Sequence, residues 1–568
     1  MRAGHSPDPR HRDSEPAALG FPAHGTGIHS LLGYGRRVSY QVSDQTPGIV
    51  GEARRLVSAA RHAYAPRSRP AAMLGDCARR LDQPLRVALA GQLKAGKSTL
   101  LNALVGQDIA PTDATECTRM VTWYRHGPAP RVSALAADGA SADVVVRRTP
   151  GADGLPGAHG LSFDLSALRW NAAGEHEVDH LDVQWPAATL ARTTIIDTPG
   201  TSSLSREVSL RTSRLLTPDE NAAVTVPEAD AVVYLLRRLD ASDIGFLERI
   251  GAGGAGRQGV SGPLGVIGVV SRADEIGAGR IDALHSAREV SARFATELER
   301  TGLCQAVIPV AGLLAFAGAT LRQREFDAFE ALARISVDDL SIALLSADRF
   351  AHPELPLPVP AELRAHLAAR FGLFGIRMAV TLIRLGVRDS ATLARELGER
   401  SGVEELRTVL DVQFAQRADQ LKAHSALTAV ARIVAAHPGT RADDLLPHIN
   451  SLLADVHGFA ELRLLGRLRT DELPLPADDV TELYRLVGGS GVAPHLRLGL
   501  PPDAPGGEVQ AHAVAAVRKW RGRARHPLAD RFTTEACLTA ARSAEGIVDQ
   551  LREPETTPMN RVRPPRAR

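Results

Sequence analysis

The sequence predicts an α/β domain with a mostly parallel sheet and helices on both faces, followed by an extended α-helical region. Three observations support this fold class. Between residues 85 and 320, short apolar runs alternate with helical stretches, which is typical of parallel sheets. After residue 320 the strand patterns fade and amphipathic helices dominate. The chain has 568 residues, more than one hydrophobic core usually holds, so we expect several structural units.

The first part of the chain divides at about residue 48. Residues 1–48 are rich in Gly, Pro, His and Ser without apolar periodicity, and we expect them to be disordered. Residues 49–84 carry two helical patterns, one from Ile49 to Tyr64 and a shorter one from Ala71 to Leu81. The α/β domain follows at 85–320, with strands predicted from five apolar runs. These runs are residues 85–90, 193–196, 231–236, 266–270 and 307–310.

The remainder of the chain is predicted to be helical, in two parts at 321–507 and 508–553. Ser401 and Glu404 have the spacing of a capping box, which predicts that a helix begins at Ser401. Residues 554–568 are proline-rich and basic, and we expect disorder there. Further helices are predicted at residues 422–436, 442–456, 477–487, 508–522 and 535–551.

Composition narrows the class of protein. Hydrophobic content of 44% and charged content of 23% are ordinary for a globular chain. The net charge of +2 gives no reason to expect a nucleic-acid partner. Cys77, Cys117, Cys304 and Cys537 lie far apart, which argues against a disulfide framework or zinc site and fits a cytoplasmic protein. No signal core or uninterrupted apolar run of about 18 residues is evident, so any membrane contact would be peripheral.

The strongest motif is Gly91-Gln-Leu-Lys-Ala-Gly96-Lys97-Ser98, which matches the phosphate-binding loop G-x-x-x-x-G-K-[ST]. A predicted strand precedes it, and a predicted helix follows from Thr99. The glycines let backbone amides converge on phosphate oxygens, and the helix N-terminus adds positive potential. Lys97 should reach the β- and γ-phosphates, and Ser98 should ligate Mg²⁺. The nucleotide-binding residues predicted here are Gly91, Lys94, Ala95, Gly96, Lys97, Ser98 and Thr99.

A second motif, Asp197-Thr-Pro-Gly200, follows the apolar run 193–196. An aspartate at the end of that strand can hold magnesium, and the amide of Gly200 can bond the γ-phosphate and so sense its loss. A bare D-x-x-G is common by chance. Its place after a strand and downstream of the phosphate loop makes it informative.

A third motif, Ser271-Arg272-Ala-Asp274, follows the run 266–270 at the place of an [NT]-K-x-D motif. Asp274 would accept hydrogen bonds from N1 and N2 of guanine, which adenine cannot offer, so the site would discriminate strongly. Arg272 would lay its planar side chain over the base. The alternative is that Asp274 only caps a helix beginning near Glu275. The order of the three motifs favours guanine.

The loop 110–118 contains three threonines, Thr112, Thr115 and Thr118. A threonine in this loop would complete magnesium coordination when GTP is bound. The spacing alone does not choose between the three, and the other two would be ordinary loop hydroxyls.

Together these motifs resemble the dynamin superfamily, and specifically bacterial dynamin-like proteins. The strings at 91–104, 110–112 and Thr118 are similar to that family's phosphate loop and switch region. The strings at 116–125, 271–277 and 370–377 are similar to the isoniazid-inducible dynamin-like GTPases of mycobacteria and related actinobacteria. By this pattern Thr118 is the switch threonine, which would share Mg²⁺ with Ser98 and Asp197.

The resemblance implies an architecture and a mechanism. A GTPase head would sit on a neck and trunk, with the helices at 49–84 packing against those at 508–553. GTP-dependent association of heads, with a second copy or a homologous dynamin-like protein, would remodel membrane. The expected place is peripheral on anionic lipid at the inner face of the plasma membrane. Two alternatives stay open: a GTP-regulated switch acting on a protein partner without lipid deformation, and a low-turnover subunit of a hetero-complex.

The chain differs from dynamins at the positions of residues that assist hydrolysis. Leu93 and Lys94 occupy positions where dynamins proper place Gln-Ser, and Thr201 follows Gly200 where other GTPases have glutamine. Lys94 could contribute positive charge to the transition state, or could simply be solvated. The residue that orients the attacking water is unidentified, and hydrolysis is expected to be slow or partner-dependent.

Two segments have the composition of a membrane contact. In 370–385, arginines recur every seven residues beside an apolar stripe, although a buried trunk helix is the favoured interpretation. The region 460–500 is apolar, basic and punctuated by glycine, and an ordinary helix–helix turn explains it nearly as well.

Overall fold

The computed structural model describes residues 48–552 with several gaps. The gaps are residues 113–119, 137, 151–155, 169–177, 201–215, 217–227, 253–264, 280–281, 300–303, 305, 456 and 469–472. The disorder predicted for residues 1–48 and 554–568 falls outside the described part, apart from Gly48, and stays a prediction.

A nine-stranded sheet organises the first half of the chain. The strands along the chain are β1 (Leu85–Gly91), β2 (Val121–His126), β3 (Arg131–Ala136), β4 (Ser141–Asp143), β5 (Val145–Pro150), β6 (Pro156–Asp164), β7 (Val178–Trp185), β8 (Thr193–Asp197), β9 (Ala231–Leu236), β10 (Gly265–Ser271) and β11 (Ala306–Val310). Nine of them form the sheet, in the order β11-β10-β9-β1-β8-β2-β7-β3-β4, whereas β5 and β6 form a separate two-stranded antiparallel sheet. From β11 to β8 all neighbours are parallel, whereas β2 is antiparallel to β8 and β3 is antiparallel to β7 and β4. The mostly parallel sheet is therefore confirmed, with a mixed edge built from β2, β7, β3 and β4.

Alternating side chains of the central strands enter two different cores. Val87 and Leu89 of β1 belong to the cluster that packs on the helices Lys97–Val105 and Val403–Gln413. Ala88 and Ala90 face the other side, where Phe246 and Leu247 of the helix Ala241–Ala252 cover the sheet. Helices therefore lie on both faces, as predicted, and the central strands read as continuous apolar runs for that reason. The other helices of this part are Ala188–Arg192, Ala283–Glu299 and Gly312–Ala319.

The helices beyond residue 320 continue the core of the α/β domain. One hydrophobic cluster joins Ala273, Ala287 and Leu314 to Phe329 and Phe371. The predicted boundary at residue 320 therefore falls inside a shared core, which extends to Leu397. The α-helices of this region are Gln323–Ala333, Val337–Ala343, Ala347–Ala351, Ala361–Arg384, Ser390–Arg400, Val403–Gln413, Ala418–Ala436, Leu446–Asp455, His457–Arg467, Ala477–Leu486, Pro494–Leu498, Gly506–Ala524 and Arg531–Arg552.

The helices Ile49–Ala63 and Arg69–Leu81 do not pack as the resemblance implied. Their apolar faces form a cluster with the helix Ala418–Ala436, including Leu427 and Val430. The last two helices, Gly506–Ala524 and Arg531–Arg552, instead form a cluster around Trp520 with residues 464–487. The expected neck of N- and C-terminal helices is therefore corrected, within the described residues, to two separate helical clusters.

The first candidate membrane segment, residues 370–385, lies mostly in the helix Ala361–Arg384, which is part of the protein core. Its arginines point to protein partners: Arg370 pairs with Glu325, Arg377 donates to the carbonyl of Leu344 at 2.5 Å, and Arg384 donates to that of Ala333 at 3.0 Å. By length and hydropathy it is the single described helix that could cross a membrane, but 67% of its most apolar window is buried inside the protein.

The predicted capping box at Ser401 does not form. The helix Val403–Gln413 begins after Gly402, which has a φ of 78°, and the hydroxyl of Ser401 donates back to the carbonyl of Gly398 at 2.6 Å. A Cβ atom at position 402 would collide with the carbonyl oxygen of Pro309 in β11. The close approach of this turn to the sheet therefore requires glycine and overrides the local capping pattern.

Candidate functional site

The phosphate loop connects β1 to the helix Lys97–Val105 through backbone conformations that require glycine. Gly91 has a φ of 143°, and a Cβ atom there would lie 2.5 Å from the carbonyl oxygen of Leu235. Gly96 has a φ of 92° and precedes the first turn of the helix. Lys94 adopts a φ of 61°, unusual for a residue with a side chain, and is exposed at the rim of the cleft. The backbone thus curls as the motif predicts.

Lys97 is held inside this loop. Its ammonium is buried and donates hydrogen bonds to the carbonyl oxygens of Gly91 at 3.3 Å and Gln92 at 3.2 Å. Burial lowers the pKa of Lys97, and the nearby carboxylate of Asp197 opposes that shift. A buried ammonium beside a helix N-terminus is a strong attractor for phosphate oxygens.

Ser98 and Asp197 meet on the floor of the cleft. The hydroxyl of Ser98 donates to Oδ2 of Asp197 at 2.7 Å, and Oδ1 of Asp197 is buried with no hydrogen-bond partner among the described residues. Burial raises the pKa of Asp197, while Lys97 and Ser98 lower it. An orphaned carboxylate oxygen beside a hydroxyl is the hard oxygen donor set that suits Mg²⁺. The residues present therefore fit the metal that the motifs imply.

Gly200 closes the cleft from the side of β8. A Cβ atom at this position would lie 2.7 Å from both the backbone N and the Cα of Leu93. Only glycine therefore allows the two loops to touch. Thr198, between Asp197 and Gly200, anchors this segment by donating its hydroxyl to the carbonyl of Leu89 at 2.8 Å.

The motif predicted to read the base lies at the carboxyl end of β10. Asp274 is 5% exposed, and burial raises its pKa to about 6, while a backbone hydrogen bond and the charge of Arg272 lower it. A 3₁₀ helix, Ala273–Gly279, begins one residue before Asp274, so Asp274 is not its N-cap. Arg272 has a φ of 53° and pairs with Glu275 at 2.7 Å. Ser271 donates to the carbonyl of Leu236 at 3.2 Å and so supports the loop.

One continuous cleft contains these groups. The cavity around Lys97, Ser98 and Asp197 shares walls with the cavity around Asp274. The shared walls are Ala95, Gly96, Thr99, Thr112 and Arg272. Thr112 thus lies between the two halves, whereas Thr115, Thr118 and Thr201 lie outside the described residues. The role of Thr118 in magnesium binding therefore stays a prediction.

Some site residues carried no recognisable sequence signal. Gly312, Leu313, Phe316 and Ala369 line the half of the cleft that contains Asp274, and apolar residues without a motif give no local clue to such a role. A second missed feature holds the phosphate loop from behind. Gln92 donates to Asp240 at 2.9 Å and to Asp243 at 3.2 Å, and Tyr234 donates to Asp243 at 2.7 Å.

A phosphate-binding loop, with Asp197 and Asp274 at the ends of parallel strands of the same mixed sheet, defines a P-loop nucleotide-binding domain. The Dynamin family model matches residues 87–241. The chain is 52% identical over 491 residues to the isoniazid-induced protein IniC of Mycobacterium tuberculosis, an alignment that covers 86% of this chain and 95% of the relative. The chain therefore belongs to the family of IniC, a mycobacterial dynamin-like protein.

Two further matches are more distant. A bacterial dynamin-like protein of Nostoc punctiforme is 43% identical over 56 residues, which is 10% of this chain and 8% of that protein. A solved chain from an oligomerised bacterial dynamin pair, described as sensing and tethering membranes, covers 88% of this chain and 90% of its own length at 13% identity. The TM-score is 0.29, and at that value the likeness carries no argument.

Proposed function

We propose that this protein binds GTP with Mg²⁺ and hydrolyses it to GDP and phosphate. One observation carries the proposal: a single cleft has Lys97, Ser98 and Asp197 at one end and the buried carboxylate of Asp274 at the other. The first group suits a triphosphate, and the second suits the N1 and N2 donors of guanine. Adenine would leave the buried Asp274 unpaired, so discrimination should be strong.

Each residue has a distinct task in this mechanism. The amides between Gly91 and Thr99 and the ammonium of Lys97 hold the phosphate oxygens in place. Ser98 and Asp197, with Thr118 as the predicted switch ligand, would hold Mg²⁺, which when bound offsets charge on the β- and γ-phosphates. Gly200 supports the γ-phosphate through its amide. Arg272 flanks the base that Asp274 reads.

Lys94 is proposed as the positive charge at the transition state. Its side chain is exposed and lines the phosphate half of the cleft. The neighbouring Leu93 is also exposed and offers no polar group, and Gln92 is engaged by Asp240 and Asp243. These residues favour slow or partner-dependent turnover, which keeps the low-turnover subunit as the second candidate function.

Steady-state hydrolysis of GTP and ATP tests these roles. Lys97→Ala should abolish GTP turnover, since the phosphates lose their buried ammonium. Lys94→Ala should lower kcat by about tenfold with little change in KM, as expected for a charge used only in the transition state. Equal rates for wild type and Lys97→Ala would refute catalysis at this site. Equal affinity for ATP and GTP would refute the role of Asp274.

We further propose that GTP-dependent association of heads, in a homo-oligomer or with a homologous dynamin-like protein, remodels or maintains membrane. Membership of a dynamin-like family supports this proposal. The expected partner is an anionic lipid surface, met peripherally from the cytoplasm at the plasma membrane. The alternative is a GTP-regulated switch on a protein partner.

Flotation with liposomes of anionic lipid, with GTP, GDP or no nucleotide, separates these possibilities. Remodelling predicts lipid binding and a change of liposome shape or fusion that needs GTP and is absent in Lys97→Ala. A protein that binds and hydrolyses GTP yet never floats with anionic liposomes would support the switch instead.

A further inference from the structure

The helix Ala361–Arg384 is broken beside the cleft. Gly372 has a φ of 64° and a ψ of 173°, values outside the helical range, so the helix consists of two segments, 361–371 and 373–384. A break in the middle of a helix leaves backbone amides and carbonyls without their usual partners. Only glycine adopts this φ at little cost. Another contact must therefore offset the free energy lost at the break.

The break lies against the base-reading aspartate. A Cβ atom at position 372 would lie 3.9 Å from Oδ2 of Asp274 and 3.8 Å from the side chain of Leu313. The second segment of the helix thus begins next to a buried carboxylate, where its positive end favours the ionised form. One turn earlier, the exposed Ala369 lines the same half of the cleft as Asp274 and Leu313.

Both segments are anchored away from the cleft. In the first, Arg370 and His366 each approach Oε1 of Glu325 at 2.8 Å, and Arg370 also donates to the hydroxyl of Thr320 at 2.9 Å. In the second, Phe374 is buried in the core shared with the α/β domain. The wall at 369–372 is therefore held by the helical region rather than by a mobile loop.

We propose that residues 369–372 form a wall of the guanine site, with Ala369 contacting the bound nucleoside and the break at Gly372 positioning Asp274. This inference rests on the proposed function and deepens it. Guanine selectivity is then shared between the motif on β10 and a helix almost 100 residues further along the chain. A bound nucleotide would then contact the helix Ala361–Arg384 directly, so its presence would reach that helix without a change in the phosphate loop.

A pair of alanine variants tests the contact of Ala369. Ala369→Phe places a ring in the cleft and should weaken GDP binding by at least about tenfold, measured by calorimetry on the full chain. Ala365→Phe is the matched control, since Ala365 is also exposed one turn away and does not line the cleft. It should bind GDP as wild type does. Unchanged affinity in Ala369→Phe would overturn the contact.

A pair of glycine variants tests the positioning of Asp274. Gly372→Ala should reduce the preference for GDP over inosine diphosphate, whose base lacks the N2 amine. The reason is that the carboxylate of Asp274 loses its alignment with the base. Gly386→Ala carries similar backbone strain, with a φ of 118° just after the same helix and no atom near its Cβ, and should keep the preference. If Gly372→Ala does not fold, the comparison of Ala369→Phe with Ala365→Phe still tests whether residues 369–372 form a wall of the site.

The two levels of hypothesis fail differently. If the wild-type chain itself shows no preference for guanine, the proposed function is at fault. If the wild type prefers guanine while Ala369→Phe and Gly372→Ala keep full affinity and selectivity, only the wall at 369–372 is refuted.

Discussion

At the scale of single residues, burial disfavours the charged form of two groups of opposite sign in the site, Lys97 and Asp274. Burial lowers the pKa of the Lys97 ammonium and raises that of the Asp274 carboxyl to about 6. The nearby charged groups act in both directions on Asp274, because Glu275 raises its pKa and Arg272 lowers it. Guanine needs the ionised carboxylate as acceptor. The base end of the cleft therefore titrates close to physiological pH.

This titration predicts a pH dependence of GDP affinity. Above pH 7 the carboxylate of Asp274 is ionised and affinity should be constant. Below the pKa of about 6, binding must first remove a proton, so affinity should fall by up to about tenfold per pH unit. Calorimetry between pH 5 and 8 measures this. Asp274→Asn serves as control and should bind weakly without that transition; a wild-type affinity independent of pH would contradict the role of Asp274.

At the scale of elements, Glu325 fastens two helices together. Its side chain is fully buried, pairs with His366 and Arg370 of the helix Ala361–Arg384, and accepts from the backbone amide of Arg322 at 2.9 Å. A buried carboxylate with this many partners leaves uncompensated charge behind when it is removed. The junction thus specifies how the helix with the Gly372 break sits against the α/β domain.

Removal of this carboxylate should therefore be costly. Glu325→Ala is expected to destabilise the protein by about 3–5 kcal/mol, because it strands the buried Arg370. Glu330→Ala on the same helix is the control, since its ion pair with Arg334 is largely exposed and should contribute about 1 kcal/mol at most. Urea denaturation at pH 7 compares the two. Similar losses in both variants would show that Glu325 is no special junction.

Elements with a strong local pattern were predictable from the sequence. The strands β1, β8, β9, β10 and β11 were recognised because buried parallel strands are continuous apolar runs. The three motifs were recognised because phosphate, magnesium and guanine each demand fixed residue types at fixed spacing. Local chemistry and fold agree at these positions, so the cleft could be anticipated before its geometry was known.

Contacts between distant segments were not predictable in this way. Nothing local marks Ala369 or Gly372 as neighbours of Asp274. Likewise, nothing local shows that the turn at Gly402 packs so closely against Pro309 that the helix begins there and not at Ser401. The helices at 49–81 bury their apolar stripe against residues 418–436. An amphipathic stripe predicts that a helix packs on one face, but not which segment it packs against. Pattern predicts what a segment is more readily than what it touches.

At the scale of the whole molecule, Glu461 ties the C-terminal helices to the part that packs on the sheet. Arg417 follows the helix Val403–Gln413, whose apolar face covers β11, and lies 3.6 Å from Oε2 of Glu461. Arg497 pairs with the same carboxylate at 2.6 Å, and Ser543 of the last helix donates to it at 2.7 Å. Three distant stretches of chain therefore converge on one buried group.

The environment of Glu461 predicts how acid loosens this junction. Its burial opposes ionisation, but hydrogen bonds from His457 and Arg497 and the charges of Arg497 and Arg417 outweigh it and lower the pKa to about 2. The folded pKa lies below the ordinary value of 4.5, so the stabilisation is complete above pH 4.5 and is lost as pH falls towards 2. The shift corresponds to about 3 kcal/mol.

Glu461→Gln should therefore be less stable than wild type by about 3 kcal/mol at pH 7, in thermal or urea unfolding. This difference in the free energy of unfolding should narrow by about 1.4 kcal/mol per pH unit below pH 4. The reason is that Glu461 then binds a proton in the unfolded wild type but stays ionised in the folded state. Glu508→Gln, an exposed site on the helix Gly506–Ala524, should show almost no gap at any pH. A stability difference between wild type and Glu461→Gln that stays constant from pH 7 to pH 3 would mean that packing, and not the charge of Glu461, joins the C-terminal helices to the part that packs on the sheet.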